Sequence, residues 1–507
     1  MSGDTRLNAA RRQRELAALV DGRELDLLVI GLGITGTGIA LDAASRGLRV
    51  AAIDAHDLAF GTSRWSSKLA HGGLRYLARG QVGIARESAL ERHILMTRTA
   101  PHLVRPGAWL MPSYETAGRG DAALTYVGLR AGDVLRRSAR TPSELLPPPR
   151  RLNASQVLSI APGVRRVGLR GGSVGWDGQL EDDARLVVAV ARTAAGHGAS
   201  VLTRVRALQV GEREARIRDE LTGAECDLHA RCIINATGVW AGQLSLNVRL
   251  RPSRGSHLVV STDAVGCPDA VVNAAIPGTF ARYVFAVPQP DGRTFIGLTD
   301  EPVQGQLPDE PTATQTEIDF LLNTVNTVLQ VPLTRSDVLG TFAGLRPLLD
   351  TRDGATADLS RNHSVITEGA QVTVVGGKLT TYRRMAQDAV DAAVRVADLA
   401  AGPCVTARTP LVGAAPPSIL AQIDAPKRLT RRYGIEAPAL RADPELWGSV
   451  AAGLPTTHAE FAYGMSHEGA LSAADLLDRR TRIGLVDADR ALAAQAAQDA
   501  VEAVRSS

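Results

Sequence analysis

The chain has 507 residues, enough for two or three domains with substantial hydrophobic cores. Its formal net charge is +4, and the basic residues are mixed with acidic ones, which argues against a nucleic-acid-binding protein and is compatible with an anionic small substrate. The four cysteines have neither metal-ligand nor disulfide spacing, so we expect no metal site and a reducing, cytoplasmic location.

The N-terminal sequence predicts neither export nor a membrane span. Residues 6–15 place four arginines and a glutamate before any apolar stretch, which is not the layout of a cleaved secretory signal. The longest apolar run, residues 27–41, is broken by four glycines and is too short to cross a bilayer. Residues 6–20 could form a basic amphipathic helix on a membrane surface, but a solvated helix that caps the fold is the favoured interpretation.

The first predicted unit is a strand, a helix and a second strand. Residues 25–30 are apolar, the turn GLGITG follows at 31–36, and an alanine-rich amphipathic stretch continues to Arg46. Residues 49–53 are apolar again and predict the second strand.

The glycine turn predicts a dinucleotide site. Gly31, Gly33 and Gly36 let the backbone approach a pyrophosphate, whose charge would lie at the positive N-terminus of the helix. Asp54 follows the second strand and is placed to accept hydrogen bonds from ribose hydroxyls. The turn alone does not separate FAD from NAD, because both contain the ADP half that it recognises.

The remaining chain predicts an α/β protein with added antiparallel sheet and a helical C-terminal part. Proline and glycine clusters near residue 145 and at 400–418 indicate boundaries. A possible capping box, Ser472 with Asp475, opens a predicted helix over residues 473–482. Strand-like runs occupy residues 201–210, 232–235, 257–261, 282–287, 294–298 and 371–375.

Two segments combine unusually many reactive side chains. SSKLAHGGLRYL (66–77) contains hydroxyls, an amine, an imidazole, a phenol and Arg75, whose guanidinium can grip a phosphate or carboxylate bidentately. VVGGKLTTYR (374–383) predicts a strand, a turn and a helix start, at which Thr380 and Thr381 could cap exposed amides. That positive helix end, with Lys378, could stabilise negative charge at N1 and C2=O of a reduced flavin; an ordinary capped helix is the alternative.

Two further observations favour a flavin over NAD. IINATG (233–238) reads as a buried strand ending in a small-residue turn, the kind of segment that lies against a bound dinucleotide. No second GxGxxG follows a strand, so a second nucleotide site for NAD(P)H is not expected, and the small substrate itself would supply the electrons.

Taken together, these segments resemble the aerobic, FAD-dependent glycerol-3-phosphate dehydrogenase family, which belongs to the D-amino-acid oxidase-like flavoproteins. HEGALSAADLLDRRTRIGL (467–485) resembles the family's C-terminal helical domain. The chain departs from the family at Leu32, where a third glycine is usual, and at Gln289, where tryptophan often follows the proline. The matching segments between about residues 25 and 400 are GLGITG, SSKLAHGGLRYL, EDDARLV, NATG, RGSHLVV, IGLTD, GLRPL and GGKLTTYR.

The resemblance implies an α/β fold with a Rossmann-like FAD-binding domain, an antiparallel-sheet substrate domain and a C-terminal helical domain. The FAD-binding domain is expected at residues 24–95, 150–250 and 340–400. The substrate-binding domain is expected at 96–149 and 251–339, and the helical domain at 405–507.

The family also implies residue roles. His257, Arg346 and Lys378 match its catalytic positions, with neutral His257 as the base that accepts the substrate's hydroxyl proton. Positions that match substrate binding are Arg75, Tyr76, Arg361 and Thr380. Cofactor-binding positions are expected at Gly31, Gly33, Gly36, Asp54, Thr62, Ser63, Ser67, Lys68, His71, Gly72, Gly73, Gly238, Gly377, Lys378, Leu379 and Thr380.

The reaction implied by the family is oxidation of sn-glycerol 3-phosphate to dihydroxyacetone phosphate, with hydride transfer from C2 to N5 of FAD. Electrons would pass to a membrane quinone or to oxygen, and the protein would be a homodimer that rests peripherally on the inner face of the cell membrane. Two alternatives stay open at this point: an oxidase of amines or amino acids on the same fold, and a flavin-binding protein without turnover.

Overall fold

The glycine turn follows residues 25–30, which form a central strand of a mainly parallel sheet. The computed structural model describes residues 3–22, 24–77, 80–115, 119–245, 247–279, 282–350 and 363–505. The strands are β1 (Leu25–Ile30), β2 (Val50–Asp54), β3 (Leu69–Ala70), β4 (Val104–Tyr114), β5 (Arg150–Asn153), β6 (Leu169–Leu180), β7 (Ser200–Thr203), β8 (Val205–Val210), β9 (Glu214–Asp219), β10 (Glu225–Asn235), β11 (Ser253–Ser261), β12 (Ala270–Ala275), β13 (Tyr283–Pro288), β14 (Arg293–Gly297), β15 (Glu301–Pro302), β16 (Val338–Arg346), β17 (His363–Glu368) and β18 (Gln371–Gly376).

Helices connect and cover these strands. The α-helices are α1 (Ala9–Val20), α2 (Ile34–Ser45), α3 (Leu74–Leu77), α4 (Val82–Ile94), α5 (Arg119–Ser138), α6 (Ala154–Ile160), α7 (Asp183–Gly196), α8 (Thr262–Val265), α9 (Gln315–Val325), α10 (Tyr382–Ala397), α11 (Pro417–Leu420), α12 (Lys427–Tyr433), α13 (His458–His467), α14 (Ala473–Asp475) and α15 (Asp487–Arg505). Segments of 3-10 helix span Thr62–Arg64, Gly238–Gln243, Arg335–Asp337, Leu379–Thr381, Gly434–Arg441, Pro444–Trp447 and Ile483–Leu485. Single turns of π-helix, which are wider than α-helical turns, span Leu95–Thr99 and Leu476–Arg480.

The first sheet has the strand order β17-β18-β10-β1-β2-β7. β10, β1, β2 and β7 run parallel, and β18 joins β10 in parallel. β1 and β2 are almost entirely apolar and buried, as expected for central strands of a parallel sheet. The predicted strand–helix–strand unit is confirmed as β1, α2 and β2.

The second sheet is mostly antiparallel and has the order β15-β11-β14-β13-β12-β4-β6-β3, with β16 paired to β11. Its register places His257 of β11 opposite Gly297 on β14 and opposite Phe342 on β16. β3, β6 and β16 belong to this sheet although residues 69–70, 169–180 and 338–346 were expected mainly in the FAD-binding domain. The domain division therefore stays a prediction.

Two local predictions need correction. The run 201–210 is not one strand, because Arg204 adopts a left-handed backbone conformation with φ of 59° and separates β7 from β8. The capping box of Ser472 and Asp475 is confirmed, but the α-helix that it opens ends at Asp475 and continues as a wider turn over Leu476–Arg480.

Helix α1 packs against the first sheet. Arg12 is buried and pairs with Asp219 at the end of β9, and Leu19 packs into the core beneath the sheet. The position agrees with a capping helix and not with a helix that lies on a membrane. No helix within the described ranges combines the length and apolar character that crossing a bilayer requires.

The C-terminal region is held to the segment that follows β2 by buried ion pairs. Arg479 and Arg480 both donate to Asp57, at 2.6 and 2.8 Å. Arg482 donates to the side-chain oxygen of Gln289 at 3.3 Å. The amide that stands where the family often has tryptophan thus connects the second sheet to the C-terminal region.

Candidate active site

A cavity of about 2040 Å³ is lined by residues from both sheets. Pockets for drug-sized ligands measure roughly 300–1,000 Å³, so this cavity has room for a dinucleotide together with a small substrate. We call the part that the glycine turn lines the nucleotide end. Another part is lined by the segment around residue 71, the ends of β11 and β16, and the turn after β18.

The nucleotide end is shaped by backbone contacts at close range. An alanine at position 36 would place its Cβ against the carbonyl oxygen of Gly31, so only glycine permits this turn. Gly31 itself has φ of 109°, which favours glycine. Asp54 Oδ2 accepts the Leu32 backbone N–H at 2.7 Å, so the carboxylate supports the turn from beneath.

The residues of this end are suited to FAD. Gly33 precedes the first turn of α2, and a Cβ there would meet only Ser63 Oγ, at 3.0 Å, so the space in front of the helix N-terminus is open to a pyrophosphate. Asp54 and Gly238 also line this end, where the ADP half of a dinucleotide would lie.

The HGG segment is held by a salt bridge that the sequence did not reveal. The N–H of Gly72 donates to both oxygens of Asp177, at 2.9 and 3.0 Å. Arg92 Nη1 donates to Asp177 Oδ1 at 2.6 Å and fixes the carboxylate. His71 lies against Tyr76, with their ring centroids 6.1 Å apart.

Lys378, in the second reactive segment, contacts Tyr76 in the first. Its ammonium group is 4.0 Å from the centroid of the Tyr76 ring, a cation–π contact, and it donates to Ser88 Oγ on α4. The predicted capping by Thr380 and Thr381 is wrong, because neither side chain accepts from the following amides and the Thr381 hydroxyl donates to the Lys378 carbonyl at 3.3 Å.

His257 is almost fully buried, with 2% of its surface exposed. Its ring stacks on Phe342 with centroids 4.6 Å apart, and on the other side only a glycine at 297 leaves room for it. Nε2 lies 2.8 Å from Ser67 Oγ. Burial first, then the charges of Lys68 and Arg346, hold the pKa of His257 well below its usual value, so the imidazole is neutral near pH 7.

Arg346 ends β16 and lines the cavity. Its guanidinium donates to Ser253 Oγ and Asp300 Oδ1, both at 3.2 Å, and to the Thr299 carbonyl at 3.1 Å. Asp300 partly balances the charge and fixes the orientation of the fork. Arg346 and His257 both line the cavity, and the charge of Arg346 helps to lower the pKa of His257.

Most of the predicted site residues meet at this cavity. Three do not line it. Gly36 packs against the Gly31 carbonyl, Gly73 packs against Ala85 and Ser88 of α4, and the Lys68 side chain is buried behind the wall in an ion pair with Asp183. The Arg75 side chain and Arg361 lie outside the described residues. The predicted residues at the cavity are Gly31, Gly33, Asp54, Thr62, Ser63, Ser67, His71, Gly72, Tyr76, Gly238, His257, Arg346, Gly377, Lys378, Leu379 and Thr380.

Sequence reasoning missed the acidic partners of these groups. Asp183 lies in the EDDARLV segment and Asp300 closes IGLTD, so the motifs contained both residues without indicating their contacts. Asp177 and its partner Arg92 lie outside the motifs, and no local pattern marks either of them.

Comparison with family models places two families along the chain. Residues 26–383 match the FAD dependent oxidoreductase family, and residues 404–505 match the C-terminal domain of alpha-glycerophosphate oxidase. The chain is 52% identical to glycerol-3-phosphate dehydrogenase 1 of Mycobacterium tuberculosis over 495 residues, which cover 96% of each chain. It is 33% identical to the mitochondrial glycerol-3-phosphate dehydrogenase of Mesocricetus auratus, covering 94% of this chain and 70% of the relative.

Solved structures agree with these matches. The glycerol-3-phosphate dehydrogenase of Bacillus halodurans, complexed with FAD, aligns with a TM-score of 0.72 and 26% identity, covering 94% of this chain and 89% of that structure. The glycine oxidase of Geobacillus kaustophilus aligns with a TM-score of 0.51 at 17% identity, covering 74% and 95%, and shares the fold alone.

Proposed function

Because the chain belongs to the FAD-dependent oxidoreductases and, within them, to the glycerol-3-phosphate dehydrogenase family, we propose that it oxidises sn-glycerol 3-phosphate to dihydroxyacetone phosphate with FAD. The observation that supports this most directly is a buried, neutral imidazole, His257, beside Arg346 in the cavity that the dinucleotide turn also lines. A proton acceptor, a cation and a hydride acceptor are the groups that alcohol oxidation requires.

The two cations have different surroundings, which supports different roles. Arg346 acts electrostatically on His257 and lies on the strand next to it, so we assign it to the oxygen at C2 of the substrate. Lys378 comes from the turn after β18 and lies against Tyr76, so we assign it to the phosphate. Thr380 is buried close to Lys378 and lines the same wall.

Oxidation at C2 removes one hydride and one proton from the substrate. FAD, when bound, supplies N5 as the acceptor of the hydride. His257 Nε2 accepts a proton from the Ser67 hydroxyl, 2.8 Å away, as Ser67, which lines the cavity, takes the hydroxyl proton of the substrate. Arg346 stabilises the negative charge that develops on the C2 oxygen as the proton leaves.

The test is anaerobic mixing of the purified, FAD-loaded protein with glycerol 3-phosphate, followed by flavin absorbance. We expect the yellow colour to bleach with one equivalent of substrate and dihydroxyacetone phosphate to form. Amino acids and simple amines should leave the colour unchanged. Persistent colour with glycerol 3-phosphate, at full FAD loading, would contradict the proposal, and bleaching by an amino acid would replace it with an amine oxidase.

We further propose that the electrons leave to a quinone. Leu124 and Val127 of α5 line the cavity and are more than half exposed, so an apolar acceptor could reach the flavin from this side. Turnover with a short-chain quinone should exceed turnover with dissolved oxygen by at least about tenfold, a difference of about 1.4 kcal/mol in the barrier. Equal rates, with peroxide formed, would instead make the protein an oxidase.

The same helix is our proposed contact with the inner membrane face. Leu124, Val127 and Val134 are exposed and follow one side of α5, and Arg130 and Arg137 are exposed beside them. The protein should float with vesicles that contain anionic lipid, and Val127→Asp should abolish flotation without loss of FAD. The homodimer implied by the family is likewise a proposal, and light scattering of the holoprotein tests it.

A further inference from the structure

Lys68 is one of only three lysines in the chain, yet it does not contact the cavity. Only 1% of its surface is exposed. The ammonium group donates to three oxygens: the Arg64 carbonyl at 2.7 Å, the Ser66 carbonyl at 3.2 Å and Asp183 Oδ2 at 2.9 Å. These are all the hydrogen bonds that an ammonium can make, so none remains for a ligand.

The partner carboxylate organises the same short segment. Asp183, the first residue of α7, also accepts the Ser66 backbone N–H at 2.9 Å through the oxygen that binds Lys68. The Lys68 backbone N–H in turn donates to Ser66 Oγ at 3.1 Å. Lys68 adopts φ of 58°, in the left-handed region that non-glycine residues rarely occupy, so these bonds maintain an uncommon backbone conformation.

Ser66, Lys68 and Asp183 thus form a hydrogen-bonded clamp around Ser67. The Ser67 hydroxyl lies 2.8 Å from His257 Nε2. The other ring nitrogen, Nδ1, is buried and has no hydrogen-bond partner among the residues that the structure describes. Ser67 is therefore the contact through which the surrounding structure orients the imidazole by hydrogen bonding, in addition to the stacking on Phe342.

Among the described residues, two cations act on the imidazole and the carboxylates near it are paired. Lys68 approaches from the segment before β3, 4.8 Å from the Phe342 ring on which His257 stacks, and Arg346 approaches from β16. Asp183 and Asp300 are each engaged with one of these cations. From α9, Glu317 accepts the Ser256 hydroxyl at 2.8 Å and also pairs with Arg254, which balances it.

The C-terminal region reaches the other side of the clamp. Asp182 caps α7 and lies 3.4 Å from both Arg432 and Arg482. Because Asp182 and Asp183 are consecutive, the arginines of the C-terminal region fix the start of the helix that carries the partner of Lys68.

We propose that Lys68 is a positioning residue for the reaction: paired with Asp183, it sets Ser67 against His257 and places a positive charge near the imidazole. The inference rests on the proposed function for the role of His257 as proton acceptor. It replaces the sequence-based expectation that Lys68 binds the cofactor.

The test follows His257 directly, by NMR titration of holoprotein labelled with ¹³C in histidine, with His257→Gln to identify the resonance. In the unsubstituted protein the resonance keeps its neutral position when the pH is lowered through the ordinary histidine pKa of about 6.5. In Lys68→Met the pKa of His257 rises, because a nearby like charge has been removed.

Since Lys68→Met leaves Asp183 buried without its partner and can impair folding, Lys68→Met/Asp183→Asn removes both charges and keeps an acceptor for Ser66. Lys427→Met, at an exposed lysine, is the matched control. In the double variant we expect kcat for flavin reduction to fall by about 10- to 100-fold with KM nearly unchanged, because a small misplacement at the base costs this much. FAD affinity should stay within about twofold of the control.

The outcomes separate the alternatives. An unchanged His257 titration in both variants, or a large loss of FAD affinity with an unchanged pH profile, overturns the proposal. Failure of glycerol 3-phosphate to reduce the unsubstituted protein would defeat the proposed function instead, and the NMR titration would still decide the role of Lys68, because it needs no substrate.

Discussion

The two ends of the cavity are constructed differently. At the nucleotide end, one continuous segment from β1 to β2 supplies the turn, the helix N-terminus and the carboxylate, and the decisive contacts are between backbone atoms. At the other end, separate parts of the chain contribute Tyr76, His257, Arg346 and Lys378, which are held by ion pairs and ring stacking. The difference teaches that cofactor retention depends on local backbone shape, whereas turnover depends on tertiary contacts.

Gly36→Ala should have the largest effect, because it strikes the local geometry of the nucleotide end. The added Cβ collides with the Gly31 carbonyl, which is backbone and cannot move without opening the turn. We expect FAD to be lost and the free energy of unfolding to fall by about 3 kcal/mol, the upper range for overpacking. The measurements are the flavin-to-protein absorbance ratio after desalting and the denaturation midpoint.

Gly83→Ala is the matched control, because a Cβ at this exposed position of α4 meets no atom within 4 Å. It should retain FAD and gain about 0.5–1 kcal/mol from helix propensity. Full FAD content in Gly36→Ala would show that the turn does not depend on this close approach.

The nucleotide end could be predicted from sequence because its signals are local. β1 and β2 are the apolar runs that the sequence predicts, and the glycines and Asp54 stand at the expected spacing. The expected amphipathic character of α2 is wrong, because both sides of this helix are buried. The second sheet was predicted less completely. β4 contains Pro106 and Pro112, and β6 contains several glycines, so neither was predicted as a strand, although they pair with each other as strands of 11 and 12 residues.

The redox end, where Tyr76, His257, Arg346 and Lys378 lie, could be predicted only as a set of residues and not as a spatial arrangement. The motifs contained His257 and Arg346, but pairing of β11 with β16 brings them together, and that register cannot be read from either segment. Lys68 illustrates the limit most clearly. Its position in a reactive motif suggested a ligand contact, whereas burial against Asp183 from α7 directs it away from the cavity.

His257→Gln sharpens the comparison from the other side. Glutamine can keep a hydrogen bond to Ser67 but cannot accept the proton, so flavin reduction by glycerol 3-phosphate should slow by about 10²- to 10⁴-fold, the usual contribution of a general base. FAD content should not change, since the nucleotide end is untouched. Stopped-flow absorbance gives the rate, and an unchanged rate would exclude His257 as the base.

Gly297→Ala provides an independent check that keeps the histidine. Its Cβ would collide with the His257 ring and displace it from Ser67. If the position of the imidazole matters as proposed, this variant slows flavin reduction by at least about tenfold, a barrier increase of about 1.4 kcal/mol, with FAD still bound.

Arg346→Lys should have a smaller effect than His257→Gln, because it preserves the positive charge and removes only the planar guanidinium. The lysine cannot contact Ser253, Asp300 and the Thr299 carbonyl together as the guanidinium does. We expect kcat/KM for glycerol 3-phosphate to fall by about 10- to 100-fold. Arg335→Lys, in an exposed pair with Asp319, is the control and should leave kcat/KM unchanged.

The smallest expected effect concerns pH, and it separates a buried His257 from an ordinary one. Burial, Lys68 and Arg346 lower the pKa of His257 below its usual value of 6.5, so the neutral form persists above that lowered pKa and is lost only on further acidification. An unshifted imidazole would be about one quarter neutral at about pH 6, and a rate that needs the neutral form would rise about fourfold by about pH 8. We expect less than about a 1.5-fold change over this range at saturating substrate, where ionisation of the substrate's own phosphate does not limit binding. A fourfold rise in the rate of stopped-flow flavin reduction, centred near pH 6.5, would show that tertiary packing does not lower the pKa of His257.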